Sequence, residues 1–295
     1  MESLGIIGAG LMGKGLAKNL IKAGYPMTVY KRKASMGDAA ASELRGLGAK
    51  ITDRAADLYA SVDILVLCLP NSQIVEETLL GKGGLSEQPS PKVKVVLDFS
   101  TAHPESTRKI AGILGEKGIV MLDAPMSGGP QQADEGKVKL AVGGDKAVFA
   151  RYEGLLKKVA EMVFYAGGHG TGNVIKLVNN FLAFLDQTAA AASSLVMDKM
   201  GISRDAYLGF IGNSGGNSWG FKAMTNRVVT GDWGLKFALG LAFKDMRYCK
   251  DIYDKFGGFP VLDAVHDAFK GAEASGLGEK DIGMIYHYLK ERIGK

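Results

Sequence analysis

Apolar and polar positions follow two different rhythms along this chain. Up to residue 168, short apolar runs stand at residues 4–8, 27–30, 62–70, 93–98, 119–123, 138–142 and 162–165, and the one at 62–70 is without internal alternation. Between several of them, at 39–47, 104–117 and 149–159, apolar positions recur at helical spacing. Unalternating runs of that length suit parallel strands buried on both faces, and strands interleaved with helices build a doubly wound sheet. From residue 169 onward only the helical rhythm remains. There Ile175, Leu177, Val178, Phe181, Leu182 and Leu185 follow a glycine-rich loop ending at Gly172, which predicts a long helix from Asn173 towards Met200. The expectation is an α/β domain over residues 1–168, with extra strands at one sheet edge, and an all-α domain over 169–295. The long helix joins the two. Lys176 and Asn180 share one face of it and are expected at the seam, where ligand sites concentrate.

The first strand runs into Gly8-Ala9-Gly10-Leu11-Met12-Gly13 and then a helix. In such a unit the first glycine allows the tight turn, the second admits a pyrophosphate to the backbone, and the third lets helix pack on strand. The sheet domain is therefore read as a Rossmann-type dinucleotide-binding domain. Gly8, Gly10, Leu11, Met12 and Gly13 surround the phosphates, whose charge a helix N-terminus favours. The second strand ends in Lys31-Arg32-Lys33, where an NAD-binding domain usually places an acid for the ribose 2′-hydroxyl. Cations there accommodate a 2′-phosphate, so the expected cofactor is NADP (NADPH), with Arg32 best suited to grip phosphate. A solvated basic turn is the alternative. Leu69 and Pro70 close the 62–70 run, and Ser100 and Thr101 follow the 93–98 strand, at positions where strand ends meet ligands. Ser127-Gly128-Gly129 offers a hydroxyl and uncrowded backbone N–H groups, either a nest for a carboxylate or a simple turn.

A length of 295 residues suits two cores. Hydrophobic content of 46% and charged content of 23% are those of a globular protein, and no apolar run reaches the ~18–20 residues of a membrane span. The start carries no basic segment before its short apolar stretch, so a cytoplasmic protein without membrane partners is expected. The net charge of +5 is spread along the chain instead of blocked, so no nucleic-acid partner is expected. Cys68 and Cys249 stand in unrelated contexts, and neither offers metal-ligand spacing with a histidine. No disulfide framework and no metal are expected.

Four signatures occur in chain order: Gly8-x-Gly10-x-Met12-Gly13 with Asn19-Leu20, Asp123-Ala-Pro-Met-Ser127-Gly128-Gly129, Gly170-x-Gly172-x-x-x-Lys176-x-x-x-Asn180, and Lys244-Asp245. Together they resemble the β-hydroxyacid dehydrogenase family, which includes 3-hydroxyisobutyrate dehydrogenase and the glyoxylate and succinic semialdehyde reductases. The resemblance implies that Lys176 is the catalytic acid or base, that Asn180 assists it, and that Ser127, Gly128 and Gly129 hold the substrate. It further implies that Lys244 approaches the cofactor, that Thr101 lies at the site, and that Phe237 lines the substrate pocket. Three positions depart from the family pattern: Met126 stands for a common valine, Met246-Arg247-Tyr248-Cys249 follows Lys244-Asp245, and Lys137 replaces a usual small residue. These bear on the substrate and leave the catalytic lysine untouched.

The expected function is an NADP-dependent oxidoreductase acting on the CH–OH group, interconverting a small carboxylate-bearing aldehyde or 2-oxo acid and its hydroxy acid. A homo-oligomer, dimer or tetramer, goes with the family. Two alternatives compete: an NADPH-dependent imine reductase, which retention of Lys176 disfavours, and a non-catalytic NADP-binding interaction module. Within the second half, 235–253 reads as a helix whose neighbouring charges Lys244 and Asp245 would ordinarily be solvated, and 212–219 reads as a polar loop.

Overall fold

The computed structural model of the chain describes residues 1–31 and 38–293. It divides into two compact units, Met1–Lys176 and Leu177–Lys295.

The first unit begins β1 (Leu4–Ile7), α1 (Gly13–Lys22), β2 (Met27–Tyr30), α2 (Asp38–Gly46), β3 (Lys50–Thr52), α3 (Ala55–Ser61) and β4 (Ile64–Leu67). It continues through α4 (Ser72–Leu80), β5 (Val95–Asp98), α5 (Pro104–Gly115) and β6 (Val120–Asp123). Then come β7 (Met126–Ser127), α6 (Pro130–Asp134), β8 (Val138–Gly144), α7 (Lys146–Leu156) and β9 (Ala160–Gly167). Among the described residues these strands form one sheet in the order β3-β2-β1-β4-β5-β6-β8-β7, with β9 paired to β8. The first six strands are parallel, and β8 runs antiparallel to β6 and β7 but parallel to β9. This is the doubly wound Rossmann-type sheet with an added edge. The two-residue β7 is too short to announce itself as an apolar run; its pairing with Leu140 and Lys139 makes it a strand.

The sheet separates two cores. Ile64 and Val66 pack in one, with Leu16 and Leu20 of α1, whereas Leu65 and Leu67 pack in the other, with Leu58 of α3, Val75 of α4 and Ile110 of α5. Both faces of β4 are covered, so its sequence has no reason to alternate. The edge strand β9 behaves differently and leaves Met162 and Phe164 exposed.

Helix α8 (Thr171–Lys199) starts in the first unit and carries the chain into the second. There follow α9 (Arg204–Gly212), α10 (Trp219–Thr230), α11 (Leu239–Asp254), α12 (Pro260–Ala272) and α13 (Ile285–Lys290). Leu177, Phe181, Phe184, Ala191 and Leu195 of α8 fall three, four or seven residues apart and form one wall of the second core. Phe221, Met246, Leu262, Phe269 and Ile285 fill it from the other helices. Several boundaries differ from the sequence expectation, among them α7, which spans Lys146–Leu156 where 149–159 is expected. Helix α8 starts at Thr171, and α11 starts at Leu239 instead of residue 235, because Asp281 draws the Lys236 and Phe237 N–H groups out of a helical pattern at 2.9 and 3.1 Å. Among the described residues no helix is long and apolar enough to cross a membrane.

The first strand is tied down from outside the sheet ladder. Asp63 accepts the Ser3 hydroxyl at 2.6 Å, the Ser3 N–H at 2.8 Å and the Lys92 ammonium at 3.2 Å. The Ser3 hydroxyl and N–H, aided by Lys92, hold the Asp63 carboxyl at about 2, below its ordinary 3.8. A depressed folded-state value means that this clamp contributes fully above the ordinary value and is lost as pH falls towards 2. Urea midpoints measured from neutral pH down through this window should therefore fall less steeply for Asp63→Asn than for the wild type; parallel curves would mean that the clamp contributes nothing.

Candidate functional site

The turn between β1 and α1 has the steric signature of a dinucleotide cradle. Gly8 has φ +98°, and a Cβ there would run into the Cys68 carbonyl; one at Gly13 would run into the Gly8 carbonyl. Those two glycines close the turn against the end of the neighbouring strand β4 and against the start of α1. At Gly10, which is exposed, a Cβ would meet nothing within 4 Å. Only at the second glycine does the backbone face open space, which is where the pyrophosphate approaches. Leu11 is 63% exposed beside it, Met12 is half-buried, and no side chain caps the start of α1 among the described residues. The residues present fit a bound dinucleotide.

Strand ends line up next to this turn. Leu69 is half-buried with its N–H donated to the Ser100 hydroxyl at 2.8 Å, and Pro70 is exposed. Ser100 is itself buried and donates its N–H to Asp98 at 2.9 Å, so its hydroxyl supports the neighbouring strand end; Thr101 is half-buried. Lys31 closes β2 with its N–H on the Thr52 carbonyl at 2.8 Å. Arg32 and Lys33 lie outside the described residues.

Ser127 is half-buried at the end of β7. Gly128 is exposed with φ +134°, a left-handed position that suits glycine. Gly129, whose N–H was expected to face a ligand, donates it to Gln132 Oε1 at 2.9 Å. The nest is thus partly filled by its own chain, a contact that a reading of Ser-Gly-Gly alone could not foresee.

The helix that carries Lys176 is fixed at its start by Asp123. This buried carboxylate accepts the Gly170 N–H at 2.8 Å and the Asn173 N–H at 3.0 Å. Burial pushes its pKa up, and the Gly170 and Asn173 N–H groups pull the other way. Gly172 has no side chain because a Cβ would collide with the Ala141 carbonyl and lie 2.9 Å from Asp123. Asn173, fully buried, accepts the Ala102 N–H at 2.9 Å and donates to Thr107 at 3.2 Å. Ala102, next to Thr101, and the first turn of α8 are therefore held by one hydrogen-bonded group. Lys176 is half-buried one turn further on. Sequence reasoning had Asp123 only as the opening residue of a signature. A carboxylate closing an apolar strand, with no exposed role, was the available signal.

In the second unit, Asn180 is brought together with Lys244 and Asp245. The Asn180 Nδ2 donates to Asp245 Oδ2 at 2.7 Å, and Lys244 Nζ pairs with Asp245 Oδ1 at 3.0 Å while lying 5.4 Å from the Tyr248 ring centre. Lys244 is 7% exposed and Asp245 1%, against the solvated pair expected of charged helix neighbours. Asp245, which the sequence offered only as part of the Lys244-Asp245 signature, holds the Asn180 amide. Phe237 is half-buried, its ring 5.9 Å from that of Phe184. Among the described residues no group of acids, histidines and cysteines could hold a metal.

The sheet topology and its glycine cradle define a dinucleotide-binding protein of the Rossmann class, and the comparisons give its activity. Residues 3–167 match the family profile described as the NAD binding domain of 6-phosphogluconate dehydrogenase. Residues 170–289 match that described as NAD-binding of NADP-dependent 3-hydroxyisobutyrate dehydrogenase. The 2-(hydroxymethyl)glutarate dehydrogenase of Eubacterium barkeri is 32% identical over 294 residues, covering 99% of this chain and 96% of that protein. The 3-hydroxyisobutyrate dehydrogenase of Pseudomonas aeruginosa is 33% identical over 221 residues, 74% of this chain and 72% of the relative. A crystal structure of 3-hydroxyisobutyrate dehydrogenase from Salmonella typhimurium, 27% identical, superposes with a TM-score of 0.85 over 97% of this chain and 99% of that one. The chain belongs to the β-hydroxyacid dehydrogenase family, NAD(P)-dependent oxidoreductases acting on the CH–OH group of hydroxy acids.

The cradle makes a contrast between two glycines. Gly8→Ala should lower stability by ~1–3 kcal/mol or more, because it adds both a strained φ and a backbone clash. Gly10→Ala should melt like the wild type yet bind the dinucleotide about tenfold or more weakly, ~1.4 kcal/mol, because its methyl enters the phosphate's space. Thermal melts with a fluorescence titration check both; a Gly10→Ala protein as unstable as Gly8→Ala would make position 10 structural.

Proposed function

We infer that the protein is an NADP-dependent reductase of a small aldehyde or 2-oxo acid bearing a carboxylate and, in reverse, a dehydrogenase of the corresponding hydroxy acid. The substrate is of the 3-hydroxyisobutyrate, glyoxylate or succinic semialdehyde type. The observation that carries this reading is α8 itself: Lys176 and Asn180 stand one turn apart, the helix start is clamped by Asp123, and the Asn180 amide is oriented by Asp245. The choice of NADP is supported by Lys31-Arg32-Lys33 at the end of the second strand and by the description of the family profile over 170–289.

When bound, the dinucleotide supplies a hydride to the carbonyl carbon in reduction and accepts one from the carbinol carbon in oxidation. Lys176 gives the carbonyl oxygen its proton as the C–H bond forms, and in the reverse direction takes the proton from the hydroxyl. Before transfer, its positive charge stabilises the negative charge that develops on oxygen. The Ser127 hydroxyl and the backbone at Gly128 and Gly129 hold the substrate carboxylate. Asn180 assists at the substrate, Phe237 lines the pocket, and Lys244 approaches the cofactor. The setting is a cytoplasmic homo-oligomer, dimer or tetramer.

Lys176→Ala should lower kcat by about 10²–10⁴-fold, the range for a general acid or base, with dinucleotide affinity little changed. Lys176→Arg should be impaired as well, since arginine keeps the charge but does not release a proton. Near-normal turnover by a folded arginine variant would show that charge alone is required. For the cofactor, Arg32→Ala should raise the KM for NADPH far more than that for NADH, and equal effects would remove the 2′-phosphate assignment. Ser127→Ala should raise KM for a carboxylated aldehyde and leave an uncharged analogue unaffected. Steady reduction of a cyclic imine with none of any oxo acid would replace this reading with an imine reductase.

A further inference from the structure

Asn19 belongs to the first sequence signature, yet it stands in the second turn of α1, beyond the glycine turn, and has no part in the chemistry above. Its Nδ2 donates to the Gly15 carbonyl at 2.8 Å, the Ala133 carbonyl at 2.9 Å and the Asp134 carbonyl at 3.2 Å. The last two are carbonyls of the C-terminal turn of α6; that of Ala133 also accepts the Gly136 N–H at 3.3 Å, so Asn19 adds a link from α1 to a turn that α6 has already closed on itself. One turn earlier a Cβ at Gly15 would lie 2.5 Å from the Ala133 carbonyl carbon and 2.7 Å from the Asp134 nitrogen, so the two backbones touch. Lys18 adds an ion pair to Asp134 and a second, at 3.3 Å, to Glu43. At its other end α6 is joined to the preceding segment by the Gln132 contact to the Gly129 N–H. A helix of five residues has no stability of its own, so these contacts determine where it sits.

We propose that Asn19 is a positioning residue: by holding α6 against α1 it sets the spacing between the dinucleotide turn at Gly8–Gly13 and the Ser127–Gly129 segment. The proposal rests on Ser127–Gly129 holding the substrate. The dinucleotide turn is the start of α1, and the substrate segment is the start of α6. Asn19 joins the two helices directly, without the sheet between them. Neither site loses a ligand contact when Asn19 changes. What changes is their registration, and a misplacement of about 1 Å between reacting groups costs on the order of 10²-fold in rate.

The test separates registration from affinity and from stability. For Asn19→Ala, the Kd for NADPH, by fluorescence titration, and the KM for a carboxylated aldehyde should stay within about twofold. The kcat should fall ~10- to 100-fold, and the primary isotope effect with deuterated NADPH should rise, as hydride transfer becomes the slow step. Gly15→Ala, which pushes α6 away with Asn19 intact, should reproduce that split. If Asn19→Ala fails to fold, Asn19→Ser, whose shorter side chain does not reach the α6 carbonyls, serves in its place, with kcat reduced about threefold or more and the NADPH Kd unchanged. A lower melting temperature with unaltered kcat and isotope effect overturns the proposal, as does a raised NADPH Kd with kcat intact. If Ser127→Ala leaves KM unchanged, the substrate reading falls and takes this proposal with it. If Ser127→Ala raises KM while Asn19→Ala or its substitute is silent, only this proposal falls.

Discussion

Asp123 closes β6 with no exposed surface and accepts the Gly170 and Asn173 N–H groups at the head of the longest helix. Everything assigned to Lys176 depends on that attachment. A helix start leaves its first N–H groups without partners, and an acid there also meets the positive end of the helix dipole. The surrounding backbone has been cleared for the carboxylate: a Cβ at Gly143 would lie 2.5 Å from it and one at Gly172 would lie 2.9 Å away. Those two glycines are spacers around a charge. Asn173 extends the same group to Ala102, so the loop bearing Thr101 is placed by the helix it faces.

The second unit uses the same device twice. Asp281 accepts from Arg227 Nε at 3.0 Å and from the N–H groups of Lys236, Phe237 and Gly283, and both members of the ion pair are almost fully buried. Removing one partner of such a pair typically costs ~3–5 kcal/mol because the other is left charged and buried. The segment before α11 is therefore anchored firmly, and Phe237 with it. Asp245 divides its oxygens between Asn180 and Lys244, which makes those two residues parts of one polar group.

What the sequence showed was what local pattern encodes. Short apolar runs marked the strands, unalternating where both faces are covered as in β4, and the glycine spacing marked the turn at Gly8–Gly13, because a strand, a turn and a helix in immediate succession are a local statement. The contacts that needed the folded chain were the distant ones. Nothing near Leu235 indicated that Asp281, over forty positions away, would keep the following residues extended. Nothing near Asn180 indicated that Asp245 would orient it, and a pair of helix charges gave no sign of burial. Ser100 looked like a ligand contact from its place at a strand end, yet its hydroxyl is used by Leu69. The Gly129 N–H looked open until α6 formed and turned Gln132 back upon it.

The doubly covered sheet has a consequence for how its strands find their places. Because Ile64 and Val66 face one core and Leu65 and Leu67 the other, sliding β4 by one residue would exchange two apolar sets of nearly equal size. Greasiness alone is a poor ruler for such a strand. The carboxylates at the strand ends can measure what the aliphatic side chains cannot: Asp63 stands just ahead of β4, Asp98 ends β5 beside Leu67, and Asp123 ends β6 beside Asp98. A slip in either direction would pull one of these acids away from its N–H donors and into hydrocarbon, at a cost of several kcal/mol. The acids that organise the site thus also act as stops, and alignment of the sheet and assembly of the site become a single event in folding.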